Sequence, residues 1–210
     1  MSPLRLPDAF RKSPVGYSTL AEDRRREQGA WIFLISLAVF FVSCMFLYAI
    51  YVVLRVGKAG DVTPFFIPKS FLLTTVNLIA ISICLHLAVA AARLQRLTDL
   101  RRNIIVAAAL AVVFFVLQSF GLAKMISDML QPTDTMRNLY GLTFCLVIVH
   151  ALHVVGGVAG LVFLLFGLSR NAYDHERYFP VKFCAMYWHF LDVVWIIMLL
   201  AFALAAVVSK

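Results

Sequence analysis

A histidine and a carboxylate lie three residues apart in an apolar segment near the end of the sequence. The segment Tyr187–Trp195 reads YWHFLDVVW and contains His189 and Asp192. Groups that can exchange a proton are costly inside a membrane, and they mark functional positions there. Residues three apart face the same side of a helix, so the two side chains can bond to each other or to one shared partner. The pair is either a proton relay or a structural polar pair, and we favour the structural pair because one pair cannot span a bilayer.

Three further histidines, His86, His150 and His153, also lie in apolar segments. Imidazole is a common metal and haem ligand. His86 with His150 or His189 offers the two imidazoles of a bis-histidine haem. Because no carboxylate stands near His150 and His153 to complete a metal shell, we favour histidines that hydrogen-bond between helices. We therefore predict no catalytic, cofactor-binding or metal-binding residue in this chain.

Three glycines follow His150 and His153 in the sequence. Gly156, Gly157 and Gly160 form a face that lets a neighbouring helix approach closely. The segment is therefore predicted to be a helix that packs closely against another helix through its glycine face, with the polar side chains of His150 and His153 beside that contact.

The elements that position these residues are transmembrane helices. Hydrophobic residues make up 62% of the 210 residues, charged residues 14%, and the mean hydropathy is +0.90, which is too apolar for a soluble domain. Strands are excluded because the apolar runs do not alternate and exceed ten residues. The sequence predicts an all-α bundle of five transmembrane helices in a single domain, residues 30–208. The predicted spans are about 30–54, 70–92, 103–123, 139–168 and 183–208.

Basic residues predict the orientation. Of the 19 Lys and Arg residues, 13 lie in the segment before the first span and in the loops after the second and fourth spans. By the positive-inside rule, the N-terminus is cytoplasmic and the C-terminus is outside. Residues 1–29 are predicted to form a flexible cytoplasmic tail. The net charge of +8 reflects topology and affinity for anionic lipids, and nucleic acid is not an expected partner.

Two of these segments resemble subunit III of the haem-copper respiratory oxidases, the cytochrome c and quinol oxidase family. Tyr187–Trp195 is similar to the family pattern [YF]-W-H-F-x-D-x-x-W, which includes Trp195. The stretch HALHVVGG, from His150 to Gly157, is similar to the family pattern H-G-x-H-V-x-x-G. The five helices and the predicted cytoplasmic N-terminus resemble the short bacterial form of the family.

Weaker likenesses and some departures accompany the two motifs. Gln118 fits a glutamine on the third helix of the family. Leu37 stands where the family usually has a carboxylate, and Gly121 stands where it often has a glutamate. His86 replaces a small residue.

The resemblance implies a non-catalytic subunit of a terminal oxidase in the bacterial cytoplasmic membrane. The haem and copper are then expected in the partner subunits, subunit I and, in cytochrome c oxidases, subunit II. The resemblance also implies a role in supporting subunit I, in holding phospholipid in a helix cleft and in sustaining proton uptake. We expect bound phospholipid near tryptophans at helix ends and near basic loop residues. The lipid-binding candidates are Trp31, Trp188, Arg93, Arg96, Arg101 and Arg102.

Three alternatives belong to other classes. A membrane b-type cytochrome would use the intramembrane histidines as haem ligands, and an isolated chain would then show a Soret band. An accessory subunit of a related nitric oxide reductase would carry the same motifs. A small transporter is disfavoured because the five spans show no internal repeat and no broken helix.

Overall fold

The computed structural model of the chain describes residues 17–54, 70–130, 134–169 and 179–208. Within these ranges the chain forms five α-helices, which are α1 (Tyr17–Leu54), α2 (Ser70–Arg93), α3 (Leu97–Met129), α4 (Asp134–Ser169) and α5 (Phe179–Val208). Each helix contains a stretch that is long and apolar enough to cross a membrane. The predicted all-α, multi-pass architecture is therefore confirmed.

The helices are longer than the apolar runs that predicted them. α1 has 38 residues, which corresponds to about 57 Å at about 1.5 Å per residue, whereas the hydrocarbon core of a bilayer is about 30 Å thick. α3 runs from Leu97 to Met129 and so extends beyond both ends of the predicted span. Hydropathy marks the part of a helix that lipid surrounds, but backbone hydrogen bonds continue into the polar ends.

The predicted flexible tail is helical in its second half. α1 begins at Tyr17, so residues 17–29 belong to this helix, and residues 1–16 lie outside the described residues. The three prolines that suggested a tail all precede Tyr17. The following segment is rich in Arg and Glu, which are good helix formers.

Helices α2 to α5 form a four-helix arrangement on which α1 packs. α2 contacts α3 and α5, α4 also contacts α3 and α5, and α1 packs on α4 and α5. The bulkiest fully buried side chains include Trp188, Trp195 and Phe202 of α5 and Phe71 of α2. The helix that carries the YWHFLDVVW segment therefore supplies much of the aromatic core.

A tight turn joins α2 to α3. Gln95 has a φ of 58°, in the left-handed region. Its N–H donates to the carbonyl of Ala92 at 3.2 Å, and the N–H of Arg96 donates to the carbonyl of Ala91 at 2.9 Å. This is the hydrogen-bond pattern of a Schellman C-cap. The turn keeps the basic residues around it at one end of the bundle.

An ion pair joins α1 and α5 at this same end. The ammonium group of Lys182 donates to Oε1 of Glu27. α5 begins just before Lys182, and Pro180 lies in its first turn. Proline is tolerated there because backbone N–H groups of the first turn have no hydrogen-bond partner within the helix. The start of α1, the end of α2 and the start of α5 thus meet where the charge pattern predicts the cytoplasmic side.

Candidate functional site

His189 and Asp192 share a partner on α2. Nδ1 of His189 lies 2.6 Å from Oγ of Ser82, and the Ser82 hydroxyl also interacts with the carboxyl group of Asp192. Asp192 is only 8% exposed, and its Oδ1 has no hydrogen-bond partner among the described residues. His189 lies at the surface, and its ring centroid is 6.0 Å from that of His86. The polar pair thus links α5 to α2 through one serine hydroxyl.

Trp195 connects three helices at one depth of the bundle. Its Nε1 donates to Oγ1 of Thr75 at 2.9 Å. Its ring packs edge-on against Phe71 with centroids 5.4 Å apart, and it stacks on His150 with centroids 5.1 Å apart. Because Trp195 is fully buried, these contacts fix the relative positions of α2, α4 and α5.

The two histidines of α4 have different surroundings. His150 is fully buried, and neither ring nitrogen has a hydrogen-bond partner within the part of the chain that the structure describes. Nδ1 of His153 donates to the carbonyl of Val149 at 2.7 Å. The carbonyl of His153 accepts a hydrogen bond from Tyr187 Oη at 2.8 Å. The interhelical hydrogen bond at this position is therefore made by the backbone of His153, and its imidazole bonds within α4.

The glycine face of α4 packs against α5 of the same chain. A Cβ atom on Gly157 would lie 3.0 Å from Cε2 of Trp188, and one on Gly156 would lie 3.2 Å from Oη of Tyr187. A Cβ on Gly160 would make an ordinary contact of 3.6 Å with Sγ of Cys184. The close helix approach predicted from these glycines is present, and the neighbouring helix belongs to this chain.

Gln118 and Gly121 lie on the buried face of α3. Gln118 is 2% exposed, and neither polar atom of its side-chain amide has a partner among the residues described. A Cβ atom on Gly121 would overlap Cε1 of Phe71 and lie 2.9 Å from its Cδ1. The ring of Phe71 therefore occupies the space that a side chain at position 121 would need.

The lipid-binding candidates separate into surface and interior residues. Trp31 is 57% exposed on α1, and its contact with lipid stays a prediction. Trp188 is fully buried against Gly157, so its assignment as a lipid contact is wrong. Its position near a helix end suggested the headgroup level, but α5 begins earlier than hydropathy indicated and the indole points into the bundle. The four arginines, Arg93, Arg96, Arg101 and Arg102, are exposed around the α2–α3 turn.

Two cavities flank α5 at the end where α1 begins. The α1–α5 groove, about 450 Å³, is almost wholly apolar and is lined by Trp31, Leu34, Ile35, Ala38, Met186, His189, Phe190 and Val193. The α2–α5 pocket, about 360 Å³, is lined by His86, Val89, Ala90, Arg93, Leu94, Lys182, Ala185, Met186 and His189. Of the four arginines predicted to hold lipid, only Arg93 lines either of these two cavities.

The sequence model of one protein family, described as Cytochrome c oxidase subunit III, matches residues 12–206. The chain belongs to this family. Similar proteins include a cytochrome c oxidase subunit 3 of the insect Spodoptera frugiperda, 28% identical over 134 residues, which are 63% of this chain and 85% of the relative. A probable cytochrome c oxidase subunit 3 of Nocardia farcinica is 28% identical over 172 residues, 80% of this chain and 82% of the relative. One from Mycobacterium bovis is 29% identical over 123 residues, 58% of this chain and 59% of the relative.

Membership of the subunit III family implies a multi-pass membrane subunit that assembles with other oxidase subunits. The family is non-catalytic. Among the described residues, no three His, Cys, Asp or Glu side chains are grouped closely enough to hold a metal ion.

Several interhelical contacts were not predicted from the sequence. Ser82 hydrogen-bonds to His189, and Thr75 accepts a hydrogen bond from Trp195. Glu27 forms an ion pair with Lys182. Hydroxyl residues in an apolar helix are a weak signal, because many of them bond to their own backbone, as Thr74 does. Thr75 also donates to the carbonyl of Phe71 in its own helix, and only the packing of α2 against α5 shows that it accepts a hydrogen bond from Trp195 as well.

Proposed function

We propose that the chain is the non-catalytic subunit III of a haem-copper terminal oxidase of aerobic respiration. It lies in the bacterial cytoplasmic membrane with its N-terminus in the cytoplasm, beside the catalytic subunit I and subunit II, and the partner subunits hold the haem and copper. The observation that best supports this proposal is that motif residues bond within the bundle. Ser82 with His189 and Thr75 with Trp195 join α2 to α5, as a supporting scaffold requires.

The same scaffold sustains proton uptake indirectly. Most of its basic residues lie at one end of the bundle, where the start of α1 and α5 and the α2–α3 turn meet. A basic surface attracts anionic headgroups and orients the subunit at the cytoplasmic face. In this proposal the chain keeps the proton-uptake side of subunit I in place, and the protons themselves cross through subunit I.

The first test of this proposal is purification from native membranes. The chain should co-purify with a large haem-copper subunit, and the separated chain should show no Soret band. The rival b-type cytochrome would use His86 with His150 or His189, and the ring centroids of His86 and His189 lie 6.0 Å apart. A stoichiometric haem on the separated chain, lost in His86→Ala, would establish that rival and end the accessory-subunit proposal.

The α1–α5 groove is the proposed lipid-holding surface. It is an open groove lined by apolar side chains, among them the exposed indole of Trp31. Indoles favour the headgroup level of a bilayer. An acyl chain therefore fits along the groove with its polar end towards Trp31.

Filling the groove should reduce the phospholipid retained by the purified complex. Ala38→Phe places a ring among the lining residues, and losing the contacts of two methylene groups weakens binding about tenfold at about 0.8 kcal/mol for each. Val39→Phe is the matched control, because Val39 is 61% exposed and does not line the groove. Mass spectrometry of delipidation-resistant phospholipid measures the difference. Equal retention in both variants would remove the groove from the proposal.

A further inference from the structure

Two imidazoles lie at the surface of the bundle within membrane-spanning segments. His86 of α2 and His189 of α5 are both exposed, and their ring centroids lie 6.0 Å apart at the wall of the α2–α5 pocket. Both helices are long and apolar enough to cross a membrane. Ionisable side chains in such helices rarely face lipid, and they pair with other polar groups. Exposure of this pair in the single chain therefore indicates that another molecule covers it in the assembled protein.

The two histidines lie at matched depth below the basic end of the bundle. His86 is seven residues before Arg93, and His189 is seven residues after Lys182. At about 1.5 Å per residue, both imidazoles lie about 10 Å farther along their helices than these two basic residues. A lipid phosphate held by Arg93 or Lys182 does not reach that depth, and hydrocarbon offers no hydrogen-bond acceptor to an imidazole. Lipid therefore leaves the pair without a partner.

Each imidazole has a ring nitrogen available to a partner. Nδ1 of His189 already lies 2.6 Å from Oγ of Ser82, so Nε2 is the remaining polar atom of this ring. The ring of His86 makes no hydrogen bond within the ranges that the structure describes. A carboxylate has two oxygens that together accept up to about four hydrogen bonds. One carboxylate between the two rings can therefore accept a hydrogen bond from each of them.

The charges around the pair favour an acidic partner. The polar lining of the pocket consists of Arg93, Lys182, His86 and His189, and none of its lining residues is Asp or Glu. Glu27 pairs with Lys182, but it is not among the lining residues. A second copy of this chain would place the same basic surface against itself in a twofold contact, which like charges oppose. A carboxylate from a different chain complements the surface.

The surface beside His86 also suits the close approach of a helix. Ala90 lies four residues after His86 on the same face of α2, and it is exposed and lines the pocket. Small side chains let helix backbones approach closely in membranes, and polar side chains then hydrogen-bond across the contact. A chain that crosses the hydrocarbon layer does so as a helix or as part of a closed barrel. In an all-helical bundle, the partner group at this depth belongs to a transmembrane helix.

We infer that the α2–α5 pocket receives a transmembrane helix of another oxidase subunit, and that an Asp or Glu side chain of that helix hydrogen-bonds to His86 and His189. The inference rests on the proposed function, which places the chain beside other oxidase subunits, and it adds the contact surface and the chemistry of the partner. His86 stands where the resembled family has a small residue, so the contact is particular to this chain. Ser82 then has a structural purpose, because its hydrogen bond holds the His189 ring at the interface.

Photocrosslinking in the purified complex tests what covers the pocket. Ile83 lies three residues before His86 on the same face of α2 and is 54% exposed. Ile83→p-benzoylphenylalanine places a photoreactive group there and leaves both histidines intact. Irradiation should yield a crosslinked peptide from a membrane segment of another oxidase subunit, and that segment should contain an Asp or a Glu. Val112→p-benzoylphenylalanine is the matched control, because Val112 is 66% exposed on α3, and it should not crosslink that peptide.

Substitutions test the hydrogen bonds themselves. His86→Leu should raise the dissociation rate of the subunit from the solubilised complex about tenfold, the usual size of a hydrogen bond between membrane helices. His86→Gln still donates a hydrogen bond and should dissociate at nearly the rate of the unaltered chain. Replacing the Asp or Glu of the crosslinked segment by its amide should add little to the effect of His86→Leu, because the pair is already broken.

The outcomes separate this inference from the proposed function. If the complex is intact but Ile83→p-benzoylphenylalanine crosslinks only phospholipid, a second copy of this chain or no partner at all, the inference is overturned and the proposed function stands. A crosslinked segment without Asp or Glu, or additive losses in the double variant, would overturn the carboxylate pairing. Equal dissociation rates of His86→Leu and the unaltered chain would do the same. Purification without any other oxidase subunit would overturn the proposed function and this inference with it.

Discussion

Gly121→Glu should prevent retention of the subunit in the oxidase complex, although it restores a residue that the resembled family often has here. A Cβ atom on Gly121 would overlap Cε1 of the Phe71 ring and lie 2.9 Å from its Cδ1. Phe71 is 1% exposed, and its ring packs edge-on against Trp195. The ring therefore has little room to move, and a glutamate would also bring a charge into a buried, apolar position.

Alanine substitutions at two glycines isolate the steric part of this effect. Gly121→Ala should destabilise the subunit by about 1–3 kcal/mol, the usual cost of overpacking. Gly160→Ala is the matched control, because its Cβ would lie 3.6 Å from Sγ of Cys184, an ordinary contact. Helix propensity favours alanine by about 1 kcal/mol at both positions, so the control should be neutral or stabilised. Thermal release of the subunit from the purified complex measures both variants.

A second substitution identifies Phe71 as the obstacle. Phe71→Ala removes the ring that meets position 121, so the double variant with Gly121→Glu should be retained better than Gly121→Glu alone. Normal retention of Gly121→Glu by itself, or no rescue in the double variant, would show that Phe71 does not control this position.

The same packing explains why family carboxylates are absent here. Phe71 fills the space at Gly121, and Leu37 packs against the apolar core as a half-buried residue. Both positions therefore serve apolar contacts. A role that depends on a carboxylate at either position does not transfer to this chain.

The membrane architecture was predictable because the bilayer imposes one strong condition. A helix that crosses it needs about 20 apolar residues, and each of the five runs meets this length. No comparable physical requirement determines where a helix ends outside the bilayer. The first 13 residues of α1 and the last turns of α3 are polar, so hydropathy could not assign them to helices.

The sequence predicted which site residues share a helix face, but it did not predict which residues of other helices they contact. The interval between His189 and Asp192 placed both on one helix face, and the structure shows Ser82 of α2 there. The glycine face of α4 predicted a close helix contact, but not that Trp188 of α5 would make it. Spacing defines which side chains share a face, whereas the neighbour of that face depends on the packing of helices distant in sequence.

Asp192→Leu should weaken incorporation of the subunit, whereas Asp192→Asn should assemble nearly normally. The carboxyl group of Asp192 and Nδ1 of His189 meet at the Ser82 hydroxyl in the contact between α2 and α5. Leucine removes the hydrogen bond between the carboxyl group and this hydroxyl, which costs about 0.5–1.5 kcal/mol. Asparagine keeps a hydrogen-bonding oxygen at the same position. Subunit stoichiometry and oxygen consumption per assembled complex measure the two effects separately.

The asparagine variant also distinguishes a structural pair from a proton relay. Asp192 is buried with one carboxyl oxygen unpartnered among the described residues, so it can take part in turnover only if a proton reaches it. Asp99→Asn is the matched control, since Asp99 lies near the α2–α3 turn and pairs with Arg102 at 3.5 Å. In a structural pair, turnover per complex stays near that of the unaltered enzyme in both asparagine variants. Full assembly of Asp192→Asn with strongly slowed proton-coupled turnover would instead show that the carboxylate exchanges a proton during the reaction, because asparagine preserves the hydrogen bonds and removes only the titration.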